Sequence, residues 1–140
     1  MKAFVDTGAF IGLIVRSDQY HLYSKGEYQI YKNKNALFFT NHYVLSELYT
    51  RLIYGVGADY CRSAMKTIHN QINQNILNLI SVDNLLFNET EKIMLKFAEH
   101  KLSFVDASIY VCVQKYGLDE VFTFDSGLVK VGLRTSSLPK

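Results

Sequence analysis

Proline is nearly missing from this chain. Of 140 residues only Pro139 is one, so no internal proline marks a kink, a linker or a broken strand. Cysteine is scarce as well. Cys61 and Cys112 are the two present; they match no metal-ligand spacing and suggest no disulfide framework. A reducing cytoplasm is the simplest setting for them. No apolar run approaches the roughly 20 residues of a membrane span; the cleanest near the N-terminus, Ala9 to Val15, is far too short. A secretory leader is not expected, because Asp6 interrupts the apolar region and no small-residue cleavage site follows. Repeats, low-complexity tracts and Ser/Pro-rich linkers are absent, which leaves a single domain over residues 1–140. A strong bias toward one charge is missing too. The net charge of +2 by itself points to no nucleic-acid partner, although withdrawing four carboxylates into one metal site would leave +6 on the remainder.

What is present is a foldable pattern. Hydrophobic residues make up 49% and charged residues 20%, a balance that buries a core without disulfides or a structural metal. Short apolar runs alternate with helical stripes. Ala3-Phe4-Val5 reads as a strand, Ala9–Arg16 as a short helix or turn, and Gln19–Lys32 as a helix weakened by Gly26. Ala36–Phe39 is a second strand, with Thr40 or Asn41 capping a helix that carries Val44, Leu45, Leu48 and Leu52 and stops at Gly55. Cys61, Ala64, Met65, Ile68 and Ile72 stripe a helix from about Ala58 to Gln74. Leu77–Val82 follows as a strand, Leu86 to Ala98 as a helix, and a further helix begins near Ser103 and ends at Gly117. Val121-Phe122-Thr123-Phe124 is a buried strand ending at Asp125, and Val131–Leu133 a short edge strand. Such alternation defines an α/β domain with a mainly parallel sheet.

Four carboxylates stand out against this pattern. Asp6 leaves the first strand at Asp6-Thr7-Gly8, and Asp125 leaves the last at Asp125-Ser126-Gly127. Each alone is an ordinary Asx-turn residue. Together, in one parallel sheet, they occupy the carboxyl edge where ligands bind. Glu47 sits on the edge of an apolar helical face, where a surface pair with Arg51 at i,i+4 is the plain alternative. Asp106 is the only charged residue from Phe104 to Val113; Ser103 offers it a loose capping box, yet a carboxylate there needs a cation, donors or a solvated cleft. Clustered carboxylates resist joint ionisation unless a cation compensates, and Mg²⁺ or Mn²⁺ prefers such oxygen ligands. His21, His42, His69 and His100 lie outside the strand-exit pattern and suit surface or packing roles.

Read in order, Phe4-Val5-Asp6-Thr7, Leu45-Ser46-Glu47-Leu48, Leu102-Ser103-Phe104-Val105-Asp106-Ala107 and Phe122-Thr123-Phe124-Asp125 resemble the four motifs of PIN-domain nucleases, and within them the VapC-like toxins. The resemblance implies a three-layer α/β/α fold and a metal-dependent endoribonuclease. It implies that Asp6, Glu47, Asp106 and Asp125 bind Mg²⁺ (or Mn²⁺) and are catalytic, with Thr7 supporting them. An RNA substrate, a cognate antitoxin and a homodimer follow from the same resemblance. Gly8, where the family commonly has Ser or Asn, and Ser126-Gly127, which supplies no polar side chain two places after Asp125, depart from the pattern. Gly8 is expected to give the turn room. Arg16 and Lys130, with Lys101 and Arg134, are candidate contacts to the RNA backbone.

Other readings compete. Asp6-Thr7-Gly8-Ala9 resembles the Asp-Thr-Gly signature of aspartic proteases, whose folds are mostly β. A HAD-type phosphotransferase would want a carboxylate where Gly8 stands. A non-catalytic RNA-binding or interaction domain, and an RNA-processing PIN nuclease that is no toxin, are the remaining alternatives.

Overall fold

The computed structural model describes residues 1–139. Along them run β1 (Lys2–Val5), α1 (Thr7–Ile14), α2 (His21–Asn33), β2 (Leu37–Asn41), α3 (His42–Gly55) and α4 (Ala58–Asn73). Then come β3 (Leu77–Ile80), α5 (Asn84–Lys96), a single 3-10 turn at Ala98–His100, α6 (Phe104–Tyr116), β4 (Glu120–Phe122) and α7 (Gly127–Lys130). The strands form one sheet in the order β3-β2-β1-β4, and every pairing is parallel.

Register explains how both sheet faces become buried. Ala3 lies beside Phe38 and Glu120, Val5 beside Phe122, and Phe38 beside Leu77, so these side chains share one face. Tyr31 of α2 meets Phe38 and Phe122 there, with ring centroids 6.1 and 5.3 Å apart. The opposite face carries Phe4, Asn41 and Val121, and Asn41 Nδ2 donates to Ser108 Oγ of α6 at 3.1 Å. Helices thus cover both faces, giving the three-layer α/β/α architecture. Phe4 and Phe122 are wholly buried, each worth about 1.5–3 kcal/mol relative to exposure. The mostly β fold of an aspartic protease is excluded by this all-parallel sheet.

Caps set the helix boundaries. Asn41 Oδ1 accepts from the Val44 N–H at 3.0 Å and Asp83 Oδ1 from the Leu86 N–H at 2.8 Å. Gly117 closes α6 at φ 60°, the left-handed position expected of it. Gly8 does not need its freedom for space: it lies within α1, and a Cβ there would meet nothing within 4 Å. Gly12 is the glycine that packing requires, since a Cβ would strike the Ser24 side chain of α2.

The sheet's last strand departs from expectation. β4 ends at Phe122 and does not continue to Phe124, because the Asp6 N–H bonded to the Phe122 carbonyl at 3.0 Å is the last rung toward β1. Val131–Leu133 is not an edge strand. It follows α7 through a turn with Gly132 at φ 92°, a conformation incompatible with an extended run. Thr135 instead makes the parallel bridge to Val121.

Candidate active site

Where β1 stops, Asp6 begins. Its backbone is extended and its side chain turns back over the first turn of α1, accepting from the Thr7 N–H at 2.7 Å through Oδ1. The other oxygen, Oδ2, accepts from the Thr123 hydroxyl at 2.7 Å. Asp6 is only 7% exposed. Burial raises its carboxyl to about 6, against the lowering effect of both hydrogen bonds, and the negative charges of Asp106 and Glu47 push it further up.

Thr123 ties the two strand exits together. The hydroxyl that donates to Asp6 also accepts from the Asp125 N–H at 3.0 Å. Asp125 then uses Oδ1 to accept from the Gly127 N–H at 2.8 Å, which starts α7 and leaves the carboxylate partly solvated. Two carboxylates 119 positions apart along the chain are thereby coupled through one buried side chain.

Asp106 enters from α6. It occupies the third position of the helix in a full capping box: its N–H donates to Ser103 Oγ at 3.0 Å, and its Oδ2 accepts from the Ser103 N–H at 3.2 Å. Desolvation raises its carboxyl, and Asp125 and Glu47 add to the rise. Glu47 lies on α3 with its side chain 39% exposed, 3.9 Å from the Arg51 guanidinium. Negative charge from Asp106 and Glu47 acts on Asp6, and negative charge from Asp125 and Glu47 acts on Asp106.

The donor set fits a hard divalent cation. It consists of oxygens alone, burial raises the carboxyls of Asp6 and Asp106, and the Thr7 hydroxyl is buried beside Asp6 with no hydrogen-bond partner. As the side chains stand among the described residues, no three His, Cys, Asp or Glu form a group that could hold a metal ion. Asp6 and Asp125 are anchored; Glu47 is the member with room to turn.

The candidate RNA contacts separate. Lys130 ends α7, a turn beyond Asp125. Arg16 lies past the end of α1, whose eight residues span about 12 Å, and it borders an apolar cleft of about 780 Å³ between α1 and α4. That cleft, lined by Phe10, Ile14, Phe38 and Ile68, does not contain the carboxylates. Thr123 went unassigned in the sequence reading, although a hydroxyl inside the apolar run Val121–Phe124 was a usable signal: buried polar groups require partners.

In this three-layer α/β/α domain Asp6 and Asp125 stand at the carboxyl edge of a parallel sheet, the edge at which such folds bind ligands. The chain belongs to the PIN-domain family, a family of nucleases, whose model matches residues 3–133. Its fold is similar to that of the sarcin-ricin loop cleaving toxin VapC20 of Mycobacterium tuberculosis, with a TM-score of 0.81, 22% identity and coverage of 94% of this chain and 95% of that one. It is also similar to FitAcB from Neisseria gonorrhoeae, at a TM-score of 0.61 and 10% identity over 96% of each chain. At these identities the likeness shows the fold alone. No curated protein matches the chain by sequence.

Proposed function

We propose that this protein is a metal-dependent endoribonuclease, the toxin of a toxin–antitoxin pair, with Asp6, Glu47, Asp106 and Asp125 as its acidic ligands. The observation that carries this reading is the Thr123 hydroxyl shared by Asp6 and the Asp125 backbone, which joins the two strand exits beside Asp106. Local capping and an i,i+4 pair explain the carboxylates one by one, but not why the fold buries Asp6 among like charges.

Bound Mg²⁺ or Mn²⁺ would activate water and neutralise charge on the phosphate and the departing oxygen. The protein's own side chains do the rest. Thr7 N–H and Thr123 O–H fix both oxygens of Asp6, so its remaining lone pairs face the site in one orientation. A bound cation would favour the ionised carboxylates of Asp6 and Asp106 against the burial that raises both. Glu47, half exposed and loosely paired with Arg51, would complete the set. Lys130 offers its ammonium to an RNA phosphate next to Asp125, while Arg16, a helix length from Asp6, would serve only a longer stretch of RNA.

The toxin reading draws on the likeness to the toxin VapC20, and a cognate antitoxin and a homodimer are proposed with it. Leu85, Phe87 and Leu95 leave α5 with an exposed apolar surface that fits a second copy. Among the described residues no helix is long and apolar enough to cross a membrane, and the free, buried Cys61 and Cys112 suit a reducing cytoplasm.

RNA cleavage is measured with Mg²⁺, Mn²⁺ or chelator for the wild type and Asp106→Asn. Cleavage should require the ion and fall at least about a hundredfold in the variant, which stays folded because Asn can still accept from the Ser103 N–H. Undiminished cleavage by the folded variant, or cleavage persisting in chelator, refutes the assignment.

A further inference from the structure

The chain beyond residue 133, where the PIN family model stops matching, returns to the active site. Residues 134–136 run beside β4: the Val121 N–H donates to the Arg134 carbonyl at 2.9 Å, and the Ser136 N–H donates to the Val121 carbonyl at 2.9 Å. A parallel ladder continued by one rung would pair the Thr123 amide with backbone. It does not continue. Ser136 Oγ instead accepts from the Thr123 N–H at 3.2 Å and donates to the Thr123 carbonyl at 2.9 Å. One hydroxyl satisfies both main-chain groups of a residue that is completely buried, and Ser136 itself is 5% exposed. The segment is anchored on its far side by the Tyr23 hydroxyl of α2, which donates to the Ser137 carbonyl at 2.6 Å.

We propose that residues 134–137 form a positioning strap for the active site, in which Ser136 holds the Thr123 backbone so that the Thr123 hydroxyl is aimed at Asp6. The proposal rests on the nuclease reading and extends it to a segment outside the matched domain. Thr123 serves two partners from one oxygen: it donates to Asp6 and accepts from the Asp125 amide. Both bonds need a single χ1 on a single backbone orientation. β4 has already ended at Phe122, so the sheet no longer fixes that orientation. Its two outward main-chain groups are fixed by Ser136 alone. Ser136 touches neither carboxylate and acts through Thr123, as outer hydrogen-bond partners of metal ligands do.

The test uses the full chain, freed of metal with chelator and titrated with Mn²⁺ by calorimetry, followed by kcat and KM on an RNA oligonucleotide. Ser136→Ala should weaken Mn²⁺ binding by about tenfold or more and lower kcat in step, with KM for the RNA unchanged. Ser136→Thr, which keeps a hydroxyl, should restore both. Thr67→Ala, which removes an exposed hydroxyl on α4 outside the strap and the carboxylate set, should leave both at the wild-type value. If Ser136→Ala fails to fold, Ser136→Cys replaces it, since a thiol is a weak donor and acceptor of similar shape. Wild-type Mn²⁺ affinity and kcat in a folded Ser136→Ala or Ser136→Cys chain overturn the strap, as does an equal loss in Thr67→Ala. A wild-type chain that neither binds Mn²⁺ nor cleaves RNA overturns the nuclease reading itself and the strap with it.

Discussion

The site has two halves built on different principles. Asp6 and Asp125 belong to the sheet edge, joined through the buried Thr123 hydroxyl, and Asp6 has both oxygens bonded. Asp106 and Glu47 come from helices. Asp106 is held by the short local loop of its capping box, and Glu47 by a 3.9 Å pair with Arg51 on the solvent side. In the first half Asp6 is fixed by a long-range contact, the hydroxyl of Thr123 117 positions away, that exists only in the folded sheet, and Asp125 is tied to the same residue through its own N–H. The second is held by bonds that an isolated helix could form. In the proposed metal site the sheet-edge half would be the rigid one, set by the buried Asp6, and the helix half the adjustable one, with Glu47 half exposed beside Arg51.

The largest effect should come from the rigid half. Asp6→Asn removes a charge from the anchored ligand, and RNA cleavage should fall by about a thousandfold or more, equivalent to several kcal/mol of lost metal-assisted stabilisation. Growth inhibition on expression should vanish with it. The same variant tests the burial of Asp6. Its carboxyl is raised from 3.8 to about 6, so the folded state binds more protons there than the unfolded chain between those values. That contribution is complete below pH 4 and is lost as pH rises through 6, on the order of 3 kcal/mol in metal-free protein. Denaturant unfolding of Asp6→Asn across pH 4–7 should lack this part of the slope; an unchanged slope would show that Asp6 is not desolvated.

Thr123→Val tests the joint between the strand exits. It keeps shape but strands Asp6 Oδ2 and the Asp125 N–H, and should cost about 1–3 kcal/mol of stability and about ten- to a hundredfold in Mn²⁺ affinity. Wild-type metal affinity in this variant would abolish the distinction between the halves. The smallest effect belongs to the adjustable half. Arg51→Ala releases Glu47 from an exposed i,i+4 pair, and thermal unfolding should register no more than about 0.5 kcal/mol. A loss of several kcal/mol would mean that Glu47 is as firmly placed as Asp6.

Much of this was legible before folding. The alternation of apolar runs and helical stripes predicted the parallel sheet, and the caps at Asn41, Ser103 and Gly117 fall where local chemistry puts them. All four carboxylates were identifiable, because charge in an apolar context stands out. The end of the chain was not legible. Val131–Leu133 has strand-forming residues, but the Asp125–Gly127 turn, the short α7 and the positive φ of Gly132 redirect it. Gly8 was assigned a role in the turn that open space around it makes unnecessary, and the tight approach falls at Gly12.

By itself the amino-acid order determined the α/β class, the family motifs and which carboxylates are available, since those depend on periodicity and local hydrogen bonding. Tertiary structure alone decided how Asp6 is held and how it is joined to Asp125. That Thr123 spans Asp6 and Asp125, and that Ser136 braces Thr123, depends on strands β1 and β4 lying side by side and on the chain's return along the sheet edge. Such contacts follow from where distant segments meet, and no local pattern encodes that meeting.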